Sequence, residues 1–185
     1  MTDVKLKEKT LQLIIQRMAL VKVKEGEEII LSSGRKSNYY FDMKKVIMKR
    51  DIRPILADVI WNKIKDDEIS AIGGLEVGAI PIIDIMIDFY YKINHGFYIR
   101  KEPKKYGLMK RVEGFLFEND RILIVDDVAT SGDTIVKCID VIQEERKGKI
   151  VKVLVIVDRL EGAKELIEEK GYKLEHIFTV KDFEI

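Results

Sequence analysis

The chain has 185 residues, 46% of them apolar and 35% charged, with a formal net charge of +1. This is a globular composition of a length that suits one domain, and so balanced a charge points to no nucleic-acid partner and no acidic membrane surface. Cys138 is the single cysteine, which excludes an internal disulfide framework and suits a reducing compartment, so a cytoplasmic location is expected.

Met1 to Lys9 is polar and charged, so no secretory leader is expected. Residues 3–20 carry Leu6, Leu11, Leu13, Ile14, Ile15, Met18 and Ala19 on a helical apolar face. Residues 28–31 read as a short strand. Ser32-Ser33-Gly34 then suggests a turn, followed by the cations Arg35 and Lys36 and the aromatics Tyr39, Tyr40 and Phe41. Cations beside aromatics can grip a planar anionic ring. Equally, an edge hairpin could pack its aromatics, and composition leaves both readings open.

Residues 52–64 read as a helix containing Trp61, and residues 69–72 as a short strand closed by Gly73-Gly74-Leu75-Glu76-Val77-Gly78. A strand running into a glycine-rich turn and then a helix is an anion-cradle pattern. That helix spans 79–91, and Asp84 and Asp88 interrupt it well short of a membrane span. Residues 96–99 form the next strand. Arg100 to Arg111 is the most basic stretch, with Arg100, Lys101, Lys104, Lys105, Lys110 and Arg111 against Glu102. Pro103, Gly107 and the missing periodicity make it a loop, read either as a solvated surface run or as a lid over a leaving group.

Ile122 to Val125 reads as a strand buried on both faces. Asp126 and Asp127 end it. Adjacent carboxylates are costly in a core, so this end is expected to open into a solvated site. Ala129 to Thr134 are small and hydroxylated, and a helix follows over 132–146. Its N–H groups and partial positive charge suit a phosphate, with Gly132 allowing close approach and Thr130, Ser131 and Thr134 adding hydroxyls. The carboxylates can accept sugar hydroxyls or orient a hydrated magnesium ion. A ligand with a phosphate at one end and a diol nearby fits that order. Cys138 falls in this helix and reads as a packed or surface thiol. Residues 151–157 form a second apolar strand ending in Asp158-Arg159, at the sheet edge where open α/β sheets bind ligands. A helix over 164–170 and a strand over 174–180 close the alternation, which argues for a doubly wound parallel sheet. His95 and His176 carry no catalytic reading.

Residues 122–134 resemble the 5-phosphoribosyl-1-pyrophosphate (PRPP) signature of type I phosphoribosyltransferases. With Ser33 to Ser37 and Tyr39 to Phe41, Gly73 to Pro81, Arg100 to Lys104 with Gly107, and Asp158-Arg159 with Glu161-Gly162, the chain is similar to short orotate phosphoribosyltransferases. The resemblance implies a doubly wound, mostly parallel sheet flanked by helices, with a small N-terminal hood. Residues 1–185 would be a single domain, with the hood formed by about 1–48 and the C-terminal segment, and the core by about 50–180.

The activity implied is transfer of phosphoribose from PRPP to orotate with Mg2+, in a homodimer whose mobile loop 100–114 reaches the neighbouring subunit. Lys104, Asp126 and Asp127 would be catalytic; no direct protein ligand to the metal is implied, and Asp126 and Asp127 could meet it through water. PRPP would lie against Arg100, Lys101, Lys104, Gly74, Gly78, Asp126, Asp127, Val128, Ala129, Thr130, Ser131, Gly132, Asp133 and Thr134. Orotate would lie against Arg159, Thr130, Tyr40, Phe41, Arg35 and Lys36. Ser32 and Val77 stand where the best-known bacterial pattern has lysine, and Tyr106 where it has histidine. Backbone N–H groups are therefore expected to carry the contact at the glycine-rich turn. Two other readings share the motif: a transferase for another base such as uracil, and a PRPP-binding regulator without catalysis. Arg159 separates the first, because a base without a carboxylate leaves that guanidinium without its partner.

Overall fold

The computed structural model of the protein describes residues 2–24, 26–31, 34–102 and 110–185. Helix α1 (Thr2–Met18) leads into the short strands β1 (Leu20–Lys22), β2 (Ile29–Ile30), β3 (Lys36–Ser37) and β4 (Tyr39–Phe41). Then come α2 (Lys44–Ile47), α3 (Arg53–Ile64), β5 (Ala71–Leu75), α4 (Ala79–Phe89), β6 (His95–Ile99) and β7 (Val112–Gly114). The rest is β8 (Arg121–Ala129), α5 (Asp133–Glu145), β9 (Lys149–Asp158), α6 (Ala163–Glu169) and β10 (Leu174–Thr179), closed by a 3-10 turn at Val180–Asp182.

Among the described residues the central sheet has six strands in the order β10-β9-β8-β5-β6-β7. Five are parallel and β7 is antiparallel to β6. Side chains alternate across a strand, so each central strand feeds two cores. Leu123, Val125, Leu154 and Ile156 join the core that holds buried residues of α1, α2, α3 and α4. Ile122, Ile124, Val153 and Val155 join the opposite core, with Ile135, Cys138, Ile139 and Ile142 of α5 and Ile167 of α6. Both faces of the sheet are therefore covered, as the apolar runs of β8 and β9 require.

Residues 20–41 make two small antiparallel pairs, β1 with β4 and β2 with β3. The C-terminal residues pack beside them. Phe183 lies edge-on to Phe41 and Phe178, at 5.1 and 5.8 Å between ring centres. The Gln16 amide donates to the Glu184 carbonyl and accepts from the Glu184 N–H.

Three elements differ from expectation. β8 does not stop at Val125. It runs to Ala129 because β9 keeps pairing with it, Asp126 opposite Val155 and Ala129 opposite Asp158. β5 likewise includes Gly73, Gly74 and Leu75, all paired to β6. The edge strand β7 was invisible in the sequence, since three residues carry no periodicity and backbone bonds to β6 create it. His95 begins β6 and bonds Asp120 at 2.8 Å, a tie between elements at the other end of the sheet.

The parting of β5 and β8 positions the site. Their pairing runs from Ala71–Ile122 to Gly73–Ile124 and ends there. β5 then follows β6 while β8 follows β9. The chain winds outward in opposite directions from this pair, so a crevice opens at their carboxyl ends.

Candidate active site

Two loops line the crevice. The first leaves β5 through Glu76, Val77 and Gly78 into α4. The second is the end of β8, carrying Asp126 and Asp127, and the turn into α5. They touch closely. A Cβ placed on Gly78 would lie 2.6 Å from Asp126 Oδ1 and 2.7 Å from Asp127 Oδ1. A Cβ on Gly74 would lie 2.3 Å from the Val125 carbonyl oxygen. The two glycines are therefore needed for approach rather than for turn geometry.

Asp126 is only 8% exposed, so the expectation that the pair sits in an open, solvated strand end is corrected for this member. Continued pairing with β9 buries it, and local hydrogen bonds compensate. Asp126 Oδ1 accepts from the Asp127 N–H at 2.9 Å, and Oδ2 accepts from the Thr134 hydroxyl at 3.3 Å. Asp127, half-buried, accepts from the Val128 N–H at 2.8 Å. Burial pushes the Asp126 carboxyl well above the usual carboxylate range, and the charge of Asp127 pushes it further. Burial also raises Asp127, while the Lys44 ammonium pulls it back. Asp127 is thus the member that ionises more readily, and Lys44, at the start of α2, is a residue sequence reasoning missed.

The turn before α5 has the geometry of an anion cradle. Gly132 caps the helix at φ +89°, which an L side chain rarely adopts, and its α-carbon faces Ala163 so closely that a Cβ would meet it at 3.0 Å. No side chain caps the helix, so its first-turn N–H groups point outward without intrahelical partners. Ser131 donates to Asp133, and Thr130 is half-buried in the turn. Cys138, one turn further on, is fully buried, and burial pushes its thiol up, so it is no nucleophile.

Arg100 and Lys101 follow β6 on the same sheet edge. The Arg100 N–H donates to the Arg111 carbonyl at 2.9 Å, its Nη1 lies 3.9 Å from Glu113, and the Lys101 N–H donates to Glu76 Oε1 at 2.8 Å. Glu76 thereby ties the base of the basic stretch to the glycine-rich turn, a role unread in the sequence. Val77 is exposed. Lys104, and with it Ser32, Tyr106 and Gly107, lies outside the described residues.

Arg159 directly follows β9 and is buried, its guanidinium 4.2 Å from the centre of the Tyr39 ring. Its Nε donates to Glu161 Oε1 at 2.8 Å and its Nη2 to Ser37 Oγ at 2.9 Å. Arg35 joins this group through the Glu161 carbonyl, at 3.1 Å. Two expected contacts are corrected. Phe41 is 3% exposed and packs on Tyr39 and Phe183, so its ring is used by the core. Lys36 is exposed and paired with Glu28 at 2.7 Å, on the face away from Ser37. Tyr40 stays partly exposed. Strand alternation holds the missed signal: Ser37, Tyr39 and Phe41 share one face, and the first two of these meet Arg159.

The described residues hold no group of three or more His, Cys, Asp or Glu that could bind a metal. The two carboxylates of Asp126 and Asp127 are oxygen donors of the kind magnesium takes, so these residues fit the ion as two partners and not as a full protein cage.

A family model described as "Phosphoribosyl transferase domain" matches residues 44–184. The chain belongs to the phosphoribosyltransferase family. Its relatives name a branch within it. The chain is 44% identical over 153 residues to the orotate phosphoribosyltransferase of Methanosphaera stadtmanae, covering 83% of this chain and 84% of that one. It is 39% identical over 157 residues to that of Methanocaldococcus jannaschii, covering 85% and 87%. The crystal structure of the Mycobacterium tuberculosis orotate phosphoribosyltransferase in complex with PRPP matches with a TM-score of 0.78 at 25% identity, covering 95% of this chain and 98% of that one. The fold is that of the type I phosphoribosyltransferases.

Proposed function

We propose that this phosphoribosyltransferase joins orotate to the phosphoribosyl group of PRPP, releasing pyrophosphate and giving orotidine 5′-monophosphate. The observation that carries the reading is the convergence at one crevice of the Asp126–Asp127 pair, the uncapped α5 N-terminus and the Gly74–Gly78 turn, with Arg159 on the same sheet edge.

In this reading the N–H groups and hydroxyls of Val128 to Thr134 hold the 5-phosphate. Asp127 and Asp126 accept the ribose hydroxyls. As the bond from C1 to the pyrophosphate oxygen breaks, positive charge builds on the sugar, and the ionised carboxylate beside it favours that state. Orotate needs no general base, since its ring nitrogen forms the new bond to C1 as an anion. Arg100, Lys101 and Lys104 take the pyrophosphate side, with the N–H groups around Gly74 and Gly78. Arg159 reads the orotate carboxylate, for which a guanidinium offers a planar fork. Bound Mg2+ would supply charge neutralisation at the pyrophosphate oxygens. The assembly proposed is a homodimer that shares loop 100–114, in the cytoplasm. Each chain would be one domain, with residues 1–48 and the C-terminal segment over the crevice as a hood. No helix among the described residues is long and apolar enough to cross a membrane.

The test is orotate loss followed by ultraviolet absorbance, with PRPP and magnesium, and uracil run in parallel. PRPP-dependent loss of orotate alone supports the reading. Turnover of uracil alone removes the role given to Arg159.

A further inference from the structure

A buried guanidinium must have its donors paired, and which pairs it makes decides what it can still bind. The Arg159 side chain is 2% exposed. Glu161 holds its Nε, Ser37 holds its Nη2, and Tyr39 covers its face. Ser37 is saturated by this arrangement. Its hydroxyl donates to the Tyr39 carbonyl at 2.9 Å and accepts from the Tyr39 N–H at 3.2 Å as well as from Arg159. Ring and guanidinium are therefore locked to each other. Nη2 gives one hydrogen to Ser37 and keeps a second, which a carboxylate oxygen on the acceptor base can accept.

Glu161 does more than hold Nε. Its Oε2 lies 3.8 Å from Arg35 Nη1, and that same nitrogen donates to the Glu161 carbonyl. One carboxylate thus gathers two guanidinium groups from distant segments. Two positive charges against one negative leave the cluster at +1. A single carboxylate on the acceptor base neutralises it.

We propose that Glu161 is a positioning residue for the acceptor base: it aims Arg159, tethers Arg35, and sets the charge of this subsite to match one carboxylate. This rests on the reading of Arg159 as the group that meets the orotate carboxylate. A plain structural tie would change stability and leave the two Michaelis constants unsplit. A positioning role moves the orotate constant alone.

The experiment is steady-state kinetics of Glu161→Ala and Glu161→Gln with each substrate varied. Glu161→Ala should raise the orotate KM by roughly 10- to 100-fold, the range for a lost charge-assisted bond. The PRPP KM and kcat at saturating orotate should stay within about twofold. Glu161→Gln keeps the volume and an acceptor for Nε but not the charge, so it reports on a folded chain, with a smaller rise of several-fold. Equal changes in both Michaelis constants, or none in that for orotate, overturn the proposal. Arg159→Lys in parallel separates the two layers. If it raises the orotate KM while both Glu161 variants leave it unchanged, Arg159 keeps its role and Glu161 loses it. If Arg159→Lys leaves the orotate KM unchanged, the reading of Arg159 falls first. In an Arg159→Ala background, Glu161→Ala should raise the orotate KM by a smaller factor than it does alone, since only the tie to Arg35 and the subsite charge are left for it to act through; an equal factor in both backgrounds removes the aiming of Arg159.

Discussion

Gly78→Ala tests the close approach of the two loops with the least disturbance elsewhere. Gly78 has φ −60° and ψ −40°, ordinary helical values that alanine adopts without strain. The new methyl would lie 2.6 and 2.7 Å from one oxygen of each aspartate, where ordinary contact begins at 3.4 Å. Both carboxylates must therefore retreat by about 0.7–0.8 Å. Neither can swing aside cheaply, because each of those oxygens also accepts a backbone N–H, from Asp127 and from Val128. A displacement near 1 Å in a reacting group costs on the order of 100-fold in rate, or about 2.7 kcal/mol in barrier. The fold should suffer less than the rate, since crowding of this kind costs roughly 1–3 kcal/mol and alanine at helical φ and ψ returns about 0.4–1 kcal/mol through the unfolded chain. We expect kcat to fall by roughly 30- to 100-fold on that basis, with Tm lowered by a few degrees. Steady-state transfer at saturating PRPP and orotate, with a circular-dichroism melt, reads both quantities. A kcat within twofold of the parent, in a chain folded at the assay temperature, would refute the role of the aspartate pair.

Three further outcomes follow from the same geometry. Asp126→Asn should abolish most turnover yet raise Tm at neutral pH. The folded carboxyl holds its proton above the usual carboxylate range, so stability falls as pH rises from that range through the raised value. Asparagine removes that loss, and each kcal/mol recovered moves Tm by about 2–4 °C in a chain of this size. A variant with the parent's pH–Tm curve contradicts the buried carboxyl. Lys44→Ala should shift the acid limb of the kcat/KM profile to higher pH, because the Lys44 charge holds Asp127 down. Added salt should shrink the difference between the two proteins, since Lys44 is exposed, and an unmoved limb at low salt removes its role. Gly73→Ala should destabilise by roughly 1–3 kcal/mol, as overpacking does. Its Cβ would meet the fully buried Phe97 ring at 2.2 Å, and denaturant unfolding of Gly73→Ala beside Gly73→Ala/Phe97→Leu should show part of that loss recovered.

Local chemistry determined much by itself. The apolar runs of β8 and β9 specified strands buried on both faces, and the α5 stripe specified the helix after the small polar turn. Asp126-Asp127 with Thr130 to Thr134 marked the phosphate and sugar end, because their spacing along one strand–turn–helix is a sequence property. Tertiary structure decided what distant segments do to each other. Asp126 is buried because β9 keeps pairing past the point where its own carboxylate would end a strand. Lys44, 83 positions before Asp127, perturbs it only because α2 packs under the crevice. Ser37 rather than Lys36 meets Arg159, because neighbouring side chains on a strand face opposite ways, and Tyr39 rather than Phe41 does so because the Phe41 ring is buried against Phe183 in the core. Burial, charge coupling and facing are sums over neighbours, and those neighbours exist only once the sheet has brought residues 35–44, 73–78, 126–134 and 159–161 to one edge.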